Sequence, residues 1–416
     1  MADLSEIGTT GLVRSGGVVA DEFLTELAGA QGRRTYREMR DNDPIVGAIL
    51  YSIEQVIKRL DWVVSSPVGD AESEDFVSGC LGDMSESWDA TLSAILSMLP
   101  YGWSFHEIVY KRRGGPGAAK AEDRSAFADG RIGWRKWPIR TQESLSKWVF
   151  ADDGGLEAME QLDPSGAGLV TIPIEKALLF RTTTAKASPE GRSLLRNAVR
   201  PWYFKRRIEE FEAIGIERDL AGLPIAYVPP DYLSSNATQA EKQVLAAIQQ
   251  IVTSIKRNEQ EGVVFPAMFD ADGHRVMDLQ LLSSGGSRQF DTDRIITRYD
   301  QRIAMTVLSD FLLLGHDRVG SFALGSSKID LWTSAVESIA RSIAEVVNQH
   351  AIPRLLALNG MTVEEAPALK FGEVSHVDLA SVGDFIQKLT AAGLLTPDTT
   401  LEDYLRAVAG LPVMEQ

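Results

Sequence analysis

Two helical stretches separated by one compact insert constrain this chain more than any other feature of its sequence. Leu194 to Leu220 carries Phe204, Ile208, Phe211 and Ile214 at helical spacing, with Pro201 either kinking the helix or starting a second segment. Lys205/Glu209 and Arg206/Glu210 stand four apart, where opposite charges add a few tenths of a kcal/mol to a helix. Pro224 to Pro230 then reads as extended chain. The insert follows: a helix from about Thr238 to Arg257, a strand at Gly262 to Pro266, a turn at Asp270 to Gly273 and a strand near Val276 to Leu282. A second helix runs from about Asp291 to Leu314, its apolar face formed by Ile295, Tyr299, Ile303, Val307 and Phe311. After a loop holding Gly315, Gly320 and Gly325, the stretch Ser327 to Leu358 predicts the longest helix, about 48 Å if continuous. Trp332, Val336, Ile339, Ile343 and Val347 form its stripe, Pro353 should kink it, and Asn359-Gly360 ends it. A helix, an insert and a returning helix suit a small tip domain carried on two struts.

The part before this is mixed. Residues 1–35 carry Gly and Ser with little periodicity and read as a mobile arm. Asp43-Pro44 can cap and open a helix whose apolar face is Ile45, Ile49, Ile53, Val56, Ile57 and Leu60. An acidic stretch, Asp70 to Asp75, precedes a second helix with Leu92, Ile95, Leu96 and Leu99 that stops at Pro100. The period then shortens to two: Trp103, Phe105, Glu107 and Val109 share one strand face, His106, Ile108 and Tyr110 the other. Ile132 to Trp134, Trp148 to Phe150 and Leu169 to Phe180, the last interrupted by Pro173, read as further strands of a small antiparallel sheet. Val377 to Leu411 suggests two or three short helices. The fold class is α+β, predominantly α.

Charge narrows the function. With 58 acidic against 42 basic residues the formal net charge is −16, the reverse of the basic surplus by which a clamp neutralises DNA phosphates. Such an excess serves solubility, or lines a passage along which DNA slides without sticking. No stretch approaches the roughly 18 apolar residues of a membrane-spanning helix. The first residues lack a basic segment followed by an apolar one, so no secretory signal is expected. Cys80 is the only cysteine, so no intrachain disulfide can form.

The motifs of chemistry fail when tested. Gly320 to Ser327 has the glycine spacing of a phosphate-binding loop, but Ser326 stands where the lysine is required and the preceding pattern is helical. His106-Glu107 followed by Tyr110 is a near miss to a zinc helix, with tyrosine at the second ligand position and a strand pattern around it. The histidines are scattered, no nucleophile elbow occurs, and no carboxylate pair stands out. No catalytic residue, metal site or cofactor is assigned. Trp134, Trp137, Trp148 and Trp202-Tyr203 read as core before they read as stacking platforms for bases. One charge pattern remains: Arg294, Arg298 and Arg302 recur every four residues on one helix face. It is either a solvated stripe partly offset by Asp291, Asp293 and Asp300, or a surface for DNA or for acidic groups of a neighbouring subunit such as Glu209, Glu210 or Glu212.

Several segments, in this order, resemble the Mu-type portal proteins of tailed phages. They are Asp43-Pro44-Ile-Val, Tyr101-Gly-Trp-Ser-Phe-His-Glu-Ile-Val-Tyr110, Gly191-Arg-Ser-Leu-Leu-Arg196 with Trp202-Tyr203-Phe204-Lys205, Gly222-Leu-Pro224, Tyr299-Asp-Gln-Arg302, Leu312 through Ser327, and Asn348-Gln-His-Ala-Ile-Pro353. The likeness spans roughly residues 35 to 360. It implies a homo-oligomeric ring, a dodecamer, at one capsid vertex of the virion, assembled in the host cytoplasm. Double-stranded DNA passes through it without sequence specificity during packaging and ejection. The implied partners are the large terminase subunit, the head–tail adaptor, and the major capsid and scaffold proteins, with no membrane and no enzymatic activity. By the same resemblance, residues 36–190 form the wing, 191–221 and 289–312 two stem helices, and 222–288 a small α/β clip. Residues 313–326 form a tunnel loop, 327–358 the long wing helix and 359–416 a helical C-terminal crown. The tunnel loop presents His316, Asp317, Arg318, Gly320, Ser321, Phe322, Gly325 and Ser326 to DNA. Two other readings stay open at this point: a cytoplasmic enzyme with an unrecognised ligand pocket, and another structural capsid or adaptor subunit.

Overall fold

The structure, a computed structural model, describes residues 8–163, 165–166, 168–221, 223–254, 269, 272–282, 291–309 and 322–372. Two compact units divide the chain: Met1–Asn197 with Ala304–Gln416, and Ala198–Ile303.

In the first unit Gly16 and Gly17, both at positive φ, turn a short hairpin of β1 (Arg14–Ser15) and β2 (Val18–Val19). Trp148 N donates to Gly17 O at 2.8 Å, and Arg196 donates twice to the Glu22 carboxylate at 2.5 and 2.7 Å. Residues 14–22, within the segment expected to be a mobile arm, are thus docked on the unit they belong to. Next come α1 (Gly29–Asn42) and α2 (Pro44–Arg59). Asp43 Oδ1 accepts from Ile45 N at 2.9 Å and Val46 N at 3.0 Å, while Pro44 occupies the first turn, where a missing N–H costs nothing. Val46, Ile49, Ile53 and Ile57 are the buried face.

Periodicity gives no sign of β3 (Trp62–Ser65). The acidic stretch is itself the start of α3 (Ala71–Gly82), with Asp70 as its cap, and α4 (Trp88–Ile95) and α5 (Met98–Tyr101) follow. β4 (Trp103–Glu107) alternates as expected, and both of its faces are covered: Trp103, Ser104, Phe105 and His106 are all buried. The chain leaves it at the fully buried Ile108, whose N–H donates to Lys176 O at 2.8 Å. β5 (Val109–Arg112) joins a different sheet, pairing with β6 (Ile132–Lys136) across an irregularity at Val109/Tyr110. The single strand expected over 103–110 is therefore two strands in two sheets.

Next are β7 (Ile139–Arg140), β8 (Leu145–Phe150), β9 (Leu156–Leu162), β10 (Leu169–Pro173) and β11 (Ala177–Arg181). They complete two antiparallel sheets, β10-β9-β8 and β11-β4-β7. A shared core of Trp103, Phe105, Trp148, Met159, Ile172 and Leu179 joins them, with Trp103 and Trp148 edge to face at 5.0 Å between ring centroids. A second aromatic cluster links Trp62, Trp88, Trp137 and Trp134 through edge-on contacts of 5.0 to 6.0 Å. Two glycines make a close crossing. Gly102 sits at φ +91°, and a Cβ on Gly191 would lie 2.3 Å from Gly102 O. Thr182 locks the crossing, donating from N to Gly102 O at 3.0 Å and from Oγ1 to Arg192 O at 2.5 Å. Two of the segments that carry the family resemblance meet here because neither has a side chain at the contact.

The second unit opens with α6 (Val199–Ala221), and Pro201 falls in its first turn, starting the helix instead of kinking it. β12 (Leu223–Tyr227) leads to α7 (Gln239–Ser254), capped by Thr238 and Glu241: Glu241 N donates to Thr238 Oγ1 at 3.3 Å and Thr238 N to Glu241 Oε2 at 2.6 Å. β13 (Asp278–Leu282) pairs antiparallel with β12, and Ile248 of α7 and Met277 are buried. The strand expected at 262–266 lies outside the described residues. α8 (Thr292–Met305) is shorter than expected and ends in turns, with Leu308 at φ +58°.

The first unit resumes at Ala304, and within it α9 (Phe322–Val346) begins five residues before the expected Ser327. Pro353 perturbs the helix as expected. A proline clashes with the carbonyl four residues back, and here Val347–Ala351 widens into one π turn before α10 (Ile352–Leu358). The π turn aims Asn348 at β14 (Ala368–Phe371), where its amide donates to Leu369 O at 3.0 Å and its Oδ1 accepts from Leu369 N at 2.7 Å. Asn359 does the same to Ile132, at 2.9 and 2.8 Å. β14 pairs antiparallel with β3. The helices expected over 377–411 lie outside the described residues.

Candidate functional site: the paired helices of the second unit

α6 and α8 run side by side in opposite directions. Lys205, buried between them, forms an ion pair with Asp300 at 2.6 Å. One residue along, Phe204 and Tyr299 stack with ring centroids 6.4 Å apart. About two turns further along α6, Thr292 Oγ1 donates to Glu212. An ammonium taken out of water needs a fixed carboxylate, so the pair sets the register of the two helices.

Three of the four residues of the apolar stripe on α6 are exposed, Phe204 even as it stacks on Tyr299. Phe204 is 42% exposed, Phe211 61% and Ile214 43%, and Tyr203 and Ile216 are more than half exposed. Single exposed apolar residues are ordinary, but a run along one helix marks a contact surface. Arg294, Arg298 and Arg302 are all exposed on α8. The guanidinium carbons of Arg298 and Arg302 lie 5.4 and 5.7 Å from the Tyr299 ring centre. Two of the acids that could offset this stripe are engaged elsewhere, Asp300 by Lys205 and Asp291 as the cap accepting from Arg294 N at 3.0 Å. No ion pair to the three arginines occurs among the described residues.

Of the expected tunnel-loop residues, His316, Asp317, Arg318, Gly320 and Ser321 lie outside the described residues. Phe322, Gly325 and Ser326 fall in the first turns of α9. The rejected motifs stay structural. His106 is fully buried with Nδ1 2.9 Å from Trp137 O, and burial pulls its pKa down to about 4. Glu107 instead meets Arg140 and, at 3.2 Å, Lys176. Burial raises the Glu107 carboxyl and these two cations lower it, to a net fall. Trp134, Trp137, Trp148 and Trp202 are buried, whereas Tyr203 is exposed. Among the described residues no group of three His, Cys, Asp or Glu is placed to hold a metal ion, and no helix is long and apolar enough to cross a membrane. Periodicity gives no sign that Arg354 of α10 reaches β11, where it donates to Ala177 O at 2.7 Å, because the two are far apart in sequence.

This mixed helix-and-strand architecture is similar to solved chains of gene transfer agent particles. One is in the neck of an empty gene transfer agent particle computed with C6 symmetry: TM-score 0.55 and 12% identity over 92% of this chain and 95% of that one. Another is in the neck of the native particle computed with C12 symmetry, with TM-score 0.55, 13% identity and coverage of 92% and 94%. A third, in the virion of the native particle, gives 0.54 and 13% over 92% and 94%. At such identity the likeness is one of fold. The chain belongs to the family of portal proteins of Mu bacteriophage, which matches residues 33–411.

Proposed function

We propose that this protein is the subunit of a portal ring, a non-enzymatic conduit at one capsid vertex through which double-stranded DNA is packaged and ejected. The observation that carries the reading is the outward-facing apolar run of α6 beside the exposed arginine stripe of α8, two unlike surfaces on one helix pair. A closed ring of head-to-tail contacts needs such a pair of unlike, complementary faces on each subunit. In this reading α6 and α8 are the stem. The unit they carry, with α7, β12 and β13, is the clip that docks the terminase motor and later the head–tail adaptor. Residues 313–326 contact DNA, while the first unit forms the wing, and residues 359–416 extend into the crown. The net charge of −16 suits a passage in which duplex slides without being held.

Electron microscopy of the purified chain tests this directly. A ring of about a dozen copies around a hole wide enough for a duplex, roughly 20 Å, is expected. Monomers or open filaments at all concentrations would remove the reading.

A further inference from the structure

Lys186 and Ala187 are consecutive residues in the left-handed region, at φ 55° and 53°. A Cβ crowds the backbone there, so each residue costs free energy that glycine would not, and two in succession need something to hold them. The loop they belong to has fixed ends. At one, Thr182 N donates to Gly102 O at 3.0 Å; at the other, Arg181 donates to Ser188 O at 2.9 Å and Ser188 Oγ to Glu190 O at 3.1 Å. Between them Ala187 N donates to Thr184 O at 3.0 Å and Ser188 N to Ala185 O at 3.2 Å, two successive tight turns. The Lys186 side chain leaves the loop and donates to Asp21 Oδ1 at 2.8 Å.

Asp21 belongs to the N-terminal hairpin segment, which is held to the first unit chiefly by polar contacts. Gly17 O accepts from Trp148 N, Asp21 meets Lys186, Glu22 meets Arg196, and the Arg14 guanidinium lies 4.0 Å from the Phe150 ring centre. Little apolar surface adds to this: Val19 packs against the sheet core, while Val13, Val18 and Phe23 are exposed. The Asp21–Lys186 pair is itself partly exposed, so water and salt weaken it. Gly17 fits without margin, since a Cβ there would run into Trp148 O. Thr9, Leu12 and Arg14 also line one cleft with Lys186 and Ala187, so segment and loop meet along more than the ion pair.

We propose that residues 14–22 are a releasable strap whose docking holds Lys186 and Ala187 in their left-handed conformation, so that undocking the strap lets the loop relax. Such a coupling is reciprocal: taking the strain out of the docked loop must tighten the strap. Release also opens the outer edge of β8, which the hairpin covers at Trp148. The device lies within one chain and does not depend on the ring reading above.

Hydrogen exchange of the full-length chain, followed by mass spectrometry of peptides spanning 14–22 and 183–189, tests the coupling. Gly17→Ala sets a methyl against Trp148 O and changes nothing in the loop. It should speed exchange at least about tenfold in 14–22 and in 183–189 alike. Ala187→Gly removes the crowded Cβ and keeps the ion pair, and should slow exchange of 14–22 by about threefold. If Gly17→Ala frees 14–22 while 183–189 exchanges at the wild-type rate, strap and loop are independent and the proposal fails. It fails equally if Ala187→Gly leaves 14–22 unchanged. Should Gly17→Ala loosen the whole chain, peptides of α2 would exchange faster too, and Asp21→Asn then takes its place. That variant removes only the charge opposite Lys186, and an increase of about threefold in both segments supports the strap, whereas an increase in 14–22 alone overturns it.

Discussion

The tryptophan core of the first unit and the α6 face of the second treat their aromatic residues in opposite ways. In the first, Trp103, Trp134, Trp137 and Trp148 are each 1% exposed or less and meet edge to face, and even polar Ser104 and His106 are sealed between elements. In the second, Tyr203, Phe204 and Phe211 stand along one helix in the open, while a lysine and an aspartate hold the helices together. The first unit has a closed core, and the second presents apolar surface that stays exposed among the described residues. A subunit built for assembly would be expected to divide its labour in this way.

Mutation can break this contrast. Trp148→Ala should cost about 4 kcal/mol of stability, because it opens a cavity between the sheets and also strips Glu190 of the indole N–H that reaches it at 3.0 Å. Urea denaturation followed by tryptophan fluorescence measures this, and a loss below about 1 kcal/mol would show that the sheets do not share a core. Gly191→Ala, which sets a methyl 2.3 Å from Gly102 O, should cost about 3 kcal/mol by the same assay. Lys205→Ala leaves Asp300 without its 2.6 Å partner and should lower stability by about 2 kcal/mol, chiefly in the paired helices, as read by hydrogen exchange of α6 and α8 amides.

The pH dependence has a definite sign. Burial, only partly offset by the Trp137 carbonyl, lowers His106 from 6.5 to about 4 in the folded chain, so between those values the unfolded chain holds more protons than the folded one. Stability is therefore complete above about pH 6.5, falls as pH drops toward 4, and gains no further slope from this group below that. His106→Gln should flatten the slope of the urea midpoint between about pH 6.5 and about pH 4, the edges of that window. An unchanged slope would assign the acid sensitivity elsewhere. Phe211→Ser should give the smallest effect on the fold, under about 0.5 kcal/mol in the dilute chain, while raising the concentration needed for assembly.

Local signals are legible in the amino-acid sequence itself. Asp43-Pro44 and Pro353 each act through backbone chemistry within a few residues, and the fold places them as that chemistry requires. Long-range pairing is not legible. β3 and β14 are short, lie about 300 residues apart and, among the described residues, pair only with each other, so neither has a local pattern strong enough to be seen. The break at Ile108 is hidden because alternation survives a change of sheet. The α6 stripe is apolar, as its spacing predicts, yet not buried within one chain, since periodicity reports a face and says nothing of whether its cover belongs to the same chain. Of the candidate site, the arginine stripe follows from four-residue spacing.

Cys80 provides a direct test of the central claim, that the α6 face is exposed in one chain and covered by another copy. It is the lone cysteine, 1% exposed, and burial pushes its thiol up to about 11, so it should stay silent toward thiol reagents near about pH 8. A cysteine introduced by Ile214→Cys then reports on α6 alone. Its labelling rate should be fast in the dilute chain and fall at least about tenfold as the chain assembles. A rate that stays constant through assembly would contradict the account.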